Sequence, residues 1–174
     1  MKGLKKLIFL SLLVSIGLGL SIIESMMPLP FVAPGAKLGL SNMVILITLV
    51  FFGIKEALSV GILKSIVFTL VTGSVTSLFY SLSGSVLSCI LMYIIFKRFS
   101  NIFSLIGVSI FGAIGHNFAQ VLVASLMMKN FRIFSYLPIL LLTSLFTGYF
   151  VGLASIYIVR NLEKTFNNIF YSQN

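Results

Sequence analysis

The fold turns on LIFLSLLVSIGLGLSIIESMMPLPFVAPGAKLGLSNMVILITLVFF, residues 7–52. Two apolar runs flank an interruption, PLPFVAPGAKLGLSN at 28–42, that carries three prolines, a lysine and an asparagine. The first run is long enough to cross a bilayer as a helix, for which about 20 apolar residues suffice. Pro28, Pro30 and Pro34 oppose continuation of that helix, and Pro34-Gly35 permits a sharp turn. The chain is expected to leave the first helix, fold over one face as a lid and re-enter near Leu38 to Asn42. A second helix that begins inside the membrane, under that lid, is then short. Lys37 would sit near its start, where free N–H groups and the positive dipole end favour an anion.

The rest of the chain repeats the apolar pattern. Of 174 residues, 59% are hydrophobic and 9% charged, and the mean hydropathy of +1.15 lies far outside the soluble range. Lipid offers backbone N–H and C=O groups no partners, so spanning elements are helices or a closed barrel. The alternation of barrel strands is absent. The reading is an all-α integral membrane protein: a single domain, residues 1–174, built as a bundle of six transmembrane helices. Spans are expected near 7–27, 40–54, 56–79, 82–96, 104–128 and 137–159, leaving no room for a soluble catalytic domain. Lys2, Lys5 and Lys6 precede a run too long for a secretory signal and without a small-x-small cleavage site, so the first helix is expected to stay uncleaved.

A net charge of +9 is common in nucleic-acid binders, but the basic residues here sit mostly between apolar segments, as topology signals that meet anionic headgroups. With six spans and a cytoplasmic N-terminus, Lys2, Lys5, Lys6, Lys55, Lys97, Arg98, Arg160 and Lys164 lie inside, and only Lys37, Lys129 and Arg132 outside. This places both termini in the cytoplasm and the chain in the cell membrane as a multi-pass protein, with lipid and no nucleic acid as surroundings. Ser11, Ser15 and Gly19 recur every four residues as a small stripe on one face of the first helix. That stripe serves either packing inside the bundle or docking to a separate membrane subunit; Gly148 and Gly152 form a second small pair.

Ionisable groups at membrane depth are costly and should face protein or a water-filled cavity. Glu24 lies near the outer end of the first span, within depth of an ion pair with Lys37. Lys64 sits about nine residues into the third span, near the midplane, where an anion or carboxylate is its expected partner. In GVSIFGAIGHNFAQ, residues 107–120, His116 and Gln120 share a helical face and Asn117 lies beside it, so the three suggest one polar site. SLSGSVLS at 81–88 is weaker, because serines bond readily to their own helix carbonyls. No carboxylate pair, phosphate loop or zinc ligand set is present, and the lone Cys89 forms no internal disulfide. Catalysis by this chain, a metal site and a cofactor are not expected.

On ESMMPLP (24–30), PGAKLGLSN (34–42) and GVSIFGAIGHNFAQ (107–120), the sequence resembles the Gx transporter family, whose members are often labelled heptaprenyl diphosphate synthase component I. That family is similar to the S-components of energy-coupling-factor transporters, six-helix proteins that hold a vitamin-like substrate and dock on a shared transmembrane subunit driven by two ATPases. Where the family commonly has arginine in the third span this chain has Lys64, which keeps the charge and loses the guanidinium fork. The resemblance implies a membrane-embedded binding subunit for a small amphipathic anionic metabolite, such as an isoprenoid diphosphate or a quinone precursor. Lys37, Asn42, Lys64, His116, Asn117, Gln120 and Glu24 would hold it, and Ser11, Ser15 and Gly19 would dock the partner. The alternative it implies is a non-catalytic membrane subunit of heptaprenyl diphosphate synthase, working with a soluble prenyltransferase.

Overall fold

The computed structural model describes residues 3–26 and 39–171, with side chains as far as Thr165. Six α-helices follow in order: α1 (Gly3–Ser25), α2 (Asn42–Phe52), α3 (Ile54–Thr72), α4 (Val75–Arg98), α5 (Leu105–Met127) and α6 (Leu137–Tyr171), with a 3-10 turn at Phe131–Tyr136 before α6. No strand occurs among the described residues. Four segments are long and apolar enough to cross a membrane: α1, α4, α5 and the stretch Phe131–Thr165 that contains most of α6. The all-helical architecture with six helices is thus as expected, and these four mark a membrane protein. In α3, Lys55, Glu56 and Lys64 fall within one 19-residue helix, and α2 is only 11 residues long, roughly 16 Å by helical rise.

α2 is the centre of the bundle. It packs against α1, α3, α4, α5 and α6, whereas among the described residues α1 touches only α2 and α3. Val44, Ile45, Leu46, Ile47, Thr48 and Leu49 are consecutive and all buried, so the helix is enclosed on every side, which is why its apolar residues show no polar face. α1 is the opposite case. Its buried residues form one stripe, Leu13, Gly17, Ser21 and Glu24, while Leu4, Leu12, Ile16 and Ile23 point away from the bundle. Because lipid is as apolar as leucine, contacts between these helices gain little from the hydrophobic effect and depend on close packing and interhelical hydrogen bonds. Gly148 and Gly152 show the packing term: an added Cβ would lie 2.6 Å from Cα of Ile110 and of Ile106, so α6 and α5 touch backbone to backbone.

The break between α3 and α4 falls at Gly73–Ser74, earlier than the gap expected between 79 and 82. Gly73 takes a left-handed conformation (φ 67°) and its N–H closes α3 on the Thr69 carbonyl at 2.8 Å. Ser74 then caps α4 by accepting from the Ser77 N–H at 3.3 Å. These signals are local, and the unbroken run of apolar and small residues that follows hides them from a hydropathy reading.

Candidate functional site

Polar side chains from four helices converge around the first turn of α2. From α1, the Glu24 carboxylate accepts from the backbone N–H of Gly39 and, at 3.2 Å, from that of Leu40. It is 2% exposed. These two N–H groups immediately precede α2, so Glu24 ties the approach to the central helix onto α1. Gly39 has φ 86°, a left-handed conformation that suits glycine. From α3, the Lys64 ammonium donates to the Ser41 hydroxyl and the side chain is wholly buried. Ser41 occupies the N-cap position of α2 but bonds Lys64 rather than the helix's own N–H groups. Gly17 of α1 lies against Lys64, since an added Cβ would sit 3.3 Å from its Cδ.

The other side of this site is built by α4 and α5. The His116 imidazole lies between Gly84 of α4 and Gly39: an added Cβ would be 2.6 Å from Cε1 and Nδ1 at the first and 3.2 Å from Cδ2 at the second. Its Nε2 is 2.9 Å from Nε2 of Gln120, one turn along α5. Between α3 and α4, the Ser65 hydroxyl is 2.9 Å from that of Ser81 and 3.5 Å from that of Ser85, while also donating to the Gly61 carbonyl. A belt of hydrogen-bonding groups therefore runs from Glu24 through Lys64 and the serines to His116 and Gln120. Asn42, the first residue of α2, stands next to it, 3% exposed, with neither polar atom of its carboxamide partnered among the described residues.

The structure brings Glu24, Asn42, Lys64, His116 and Gln120 together, though they come from α1, α2, α3 and α5. Asn117 goes elsewhere. Its Nδ2 donates to the Leu140 carbonyl at 3.1 Å and the Ser144 hydroxyl at 2.8 Å, binding α5 to α6. A single step along a helix turns a side chain by about 100°, and here that step separates Asn117 from His116. Lys37 lies outside the described residues. Ser11 and Ser15 are exposed, and a Cβ at Gly19 would meet nothing within 4 Å, so this stripe faces away from the bundle. Gly17 and Ser21 provide the inward small residues instead. Among the described residues no three His, Cys, Asp or Glu side chains group as metal ligands.

A sequence model described as heptaprenyl diphosphate synthase component I matches residues 13–158. The chain belongs to that family. No curated protein and no solved structure matches it. The component I match covers every residue of the polar belt, from Glu24 to Gln120. Gly39, Ser41 and Ser65 are parts that the sequence did not single out, and Gly84 and Ser85 lie in SLSGSVLS, the stretch rated the weaker signal. A usable signal did exist on α4, where Ser77, Ser81, Ser85 and Ser88 keep a helical face and all four are buried.

Proposed function

We propose that this component I family member is a membrane-embedded binding subunit for a small amphipathic anionic metabolite, received at the first turn of α2. Lys64 carries the reading. A wholly buried ammonium is expensive among apolar helices, and one that donates to Ser41 at the N-cap of α2 sets a positive charge where an anionic group of the ligand would be received. Lys64 would attract that group, while His116, Gln120 and Asn42 would orient the ligand and Lys37, from the segment before α2, would add a second cation. An isoprenoid diphosphate or a quinone precursor has the required amphipathic character. The chain would lie in the cell membrane with both termini cytoplasmic, and the outward stripe of Ser11, Ser15 and Gly19 would meet a shared transmembrane subunit served by an ATPase pair.

The family description favours a second reading, in which the chain is the non-catalytic membrane component of heptaprenyl diphosphate synthase and a soluble prenyltransferase is its partner. Native mass spectrometry of gently solubilised protein tests the first reading: a retained small molecule is expected in the wild type and lost in Lys64→Met and His116→Ala. Retention unchanged in both variants refutes the site. Co-purification with a transmembrane and ATPase module supports transport, whereas co-purification with a prenyltransferase whose chain elongation fails without this subunit supports the synthase role.

A further inference from the structure

Asn42 narrows the chemistry of the ligand. Its backbone is fixed, with N–H bonded to the Gly39 carbonyl at 2.9 Å, so the position of the side chain follows from the first turn of α2. A carboxamide offers donors on nitrogen and an acceptor on oxygen. Here both Nδ2 and Oδ1 are buried and without partners among the described residues. Unmet polar groups are costly in a protein interior, and most of those found there are hydrogen-bonded. A second unmet group among the described residues is the Ser21 hydroxyl, wholly buried on the stripe of α1 between Gly17, which rests on Lys64, and Glu24, which holds Gly39 and Leu40.

We infer that Asn42 receives a neutral edge of the ligand that presents a donor beside an acceptor, as a lactam, a ureide or an aminopyrimidine does. This rests on the binding role proposed above and specifies its substrate class. An ionised phosphate or diphosphate has only acceptors. Placed at Asn42 it would satisfy Nδ2, leave Oδ1 unmet, and bring further negative charge towards Glu24, whose carboxylate is bonded to residues two and three positions before Asn42. A donor–acceptor edge satisfies both atoms of the carboxamide at once, in the two-bond geometry by which asparagine reads adenine. The anionic group of the same ligand is left to Lys64, which bonds the residue next to Asn42. A prenyl diphosphate has no such edge, so it is disfavoured as the occupant of this position.

The test uses the full chain in lipid nanodiscs, the variant Asn42→Leu and thermal melts. Removing two unmet polar atoms should raise the melting temperature of the ligand-free protein by a few degrees. Uracil and 2-aminopyrimidine should each raise the melting temperature of the wild type, with apparent affinity falling at least about tenfold in the variant. Inorganic pyrophosphate should show no dependence on Asn42. Should Asn42→Leu fail to fold, Asn42→Ala carries the probe comparison. A lowered melting temperature in a folded Asn42→Leu, an Asn42-dependent response to pyrophosphate, or no response to either heterocycle overturns the inference; the last, with a stabilised variant, marks a buried water at Asn42. Each leaves the binding role itself to the Lys64→Met result, so the two fail separately.

Discussion

Replacing Gly84 by alanine should disrupt the His116 side of the site, and the size of the effect can be worked from the geometry. The new Cβ would stand 2.6 Å from both Cε1 and Nδ1 of the imidazole and 3.1 Å from Nε2. Ordinary contact requires the imidazole to retreat by about 1 Å. It has no room, because Gly39 backs its opposite edge. A retreat would also stretch the 2.9 Å contact with Gln120 beyond hydrogen-bonding range. Overpacking costs about 1–3 kcal/mol and the lost bond about 1 kcal/mol. Alanine is also a better helix former than glycine, which offsets roughly 0.5–1 kcal/mol of this. Gly19→Ala has the same propensity gain with nothing within 4 Å of the added Cβ, so the pair of variants isolates the clash. Thermal melts of the two in one detergent should separate by roughly 5–15 °C, with Gly84→Ala the lower, and native mass spectrometry should show loss of retained ligand in Gly84→Ala alone. Melting temperatures within about 2 °C of each other would refute the placement of His116 against Gly84.

Three further outcomes follow from the same contacts. Hydrogen exchange at the Gly39 and Leu40 amides should stay slow in Glu24→Gln, which keeps an acceptor oxygen, and accelerate about tenfold or more in Glu24→Ala; equal protection in both would remove Glu24 from its role as a tie. Asn117→Ala should lower stability by about 1–3 kcal/mol through its contacts with Leu140 and Ser144 while ligand retention persists, and lost retention at an unchanged melting temperature would return Asn117 to the site. The Lys6–Glu56 pair, at 2.5 Å and with side chains 35% and 24% exposed, should show a coupling below about 1 kcal/mol in a double-mutant cycle; a larger value would mean that it is shielded by lipid headgroups.

Composition and hydropathy made the helical bundle legible, because lipid leaves the backbone few alternatives. The short second helix was legible too, since three prolines and a glycine precede it. Burial cost exposed Glu24, Lys64 and His116 as functional candidates in the sequence. What it did not supply was direction. His116 and Asn117 are neighbours in the chain yet serve α4 and α6 respectively, a difference fixed by which helices flank α5. Glu24 illustrates the same limit: its depth marked it as a group in need of partners, yet the two backbone N–H groups that its carboxylate accepts from belong to the approach to α2 and carry no side-chain signal.

The way α1 is attached bears on how the bundle opens. Among the described residues α1 rests on only two helices, along a line of four buried residues, whereas α2 is held by five helices and buries seven. Swinging α1 outward therefore uncovers less than any movement of α2, and it draws Glu24 off Gly39 and Gly17 off Lys64 in the same stroke. α1 is the lightly held side of the bundle and α2 its central post. A molecule arriving sideways from the lipid would meet the side that yields most easily.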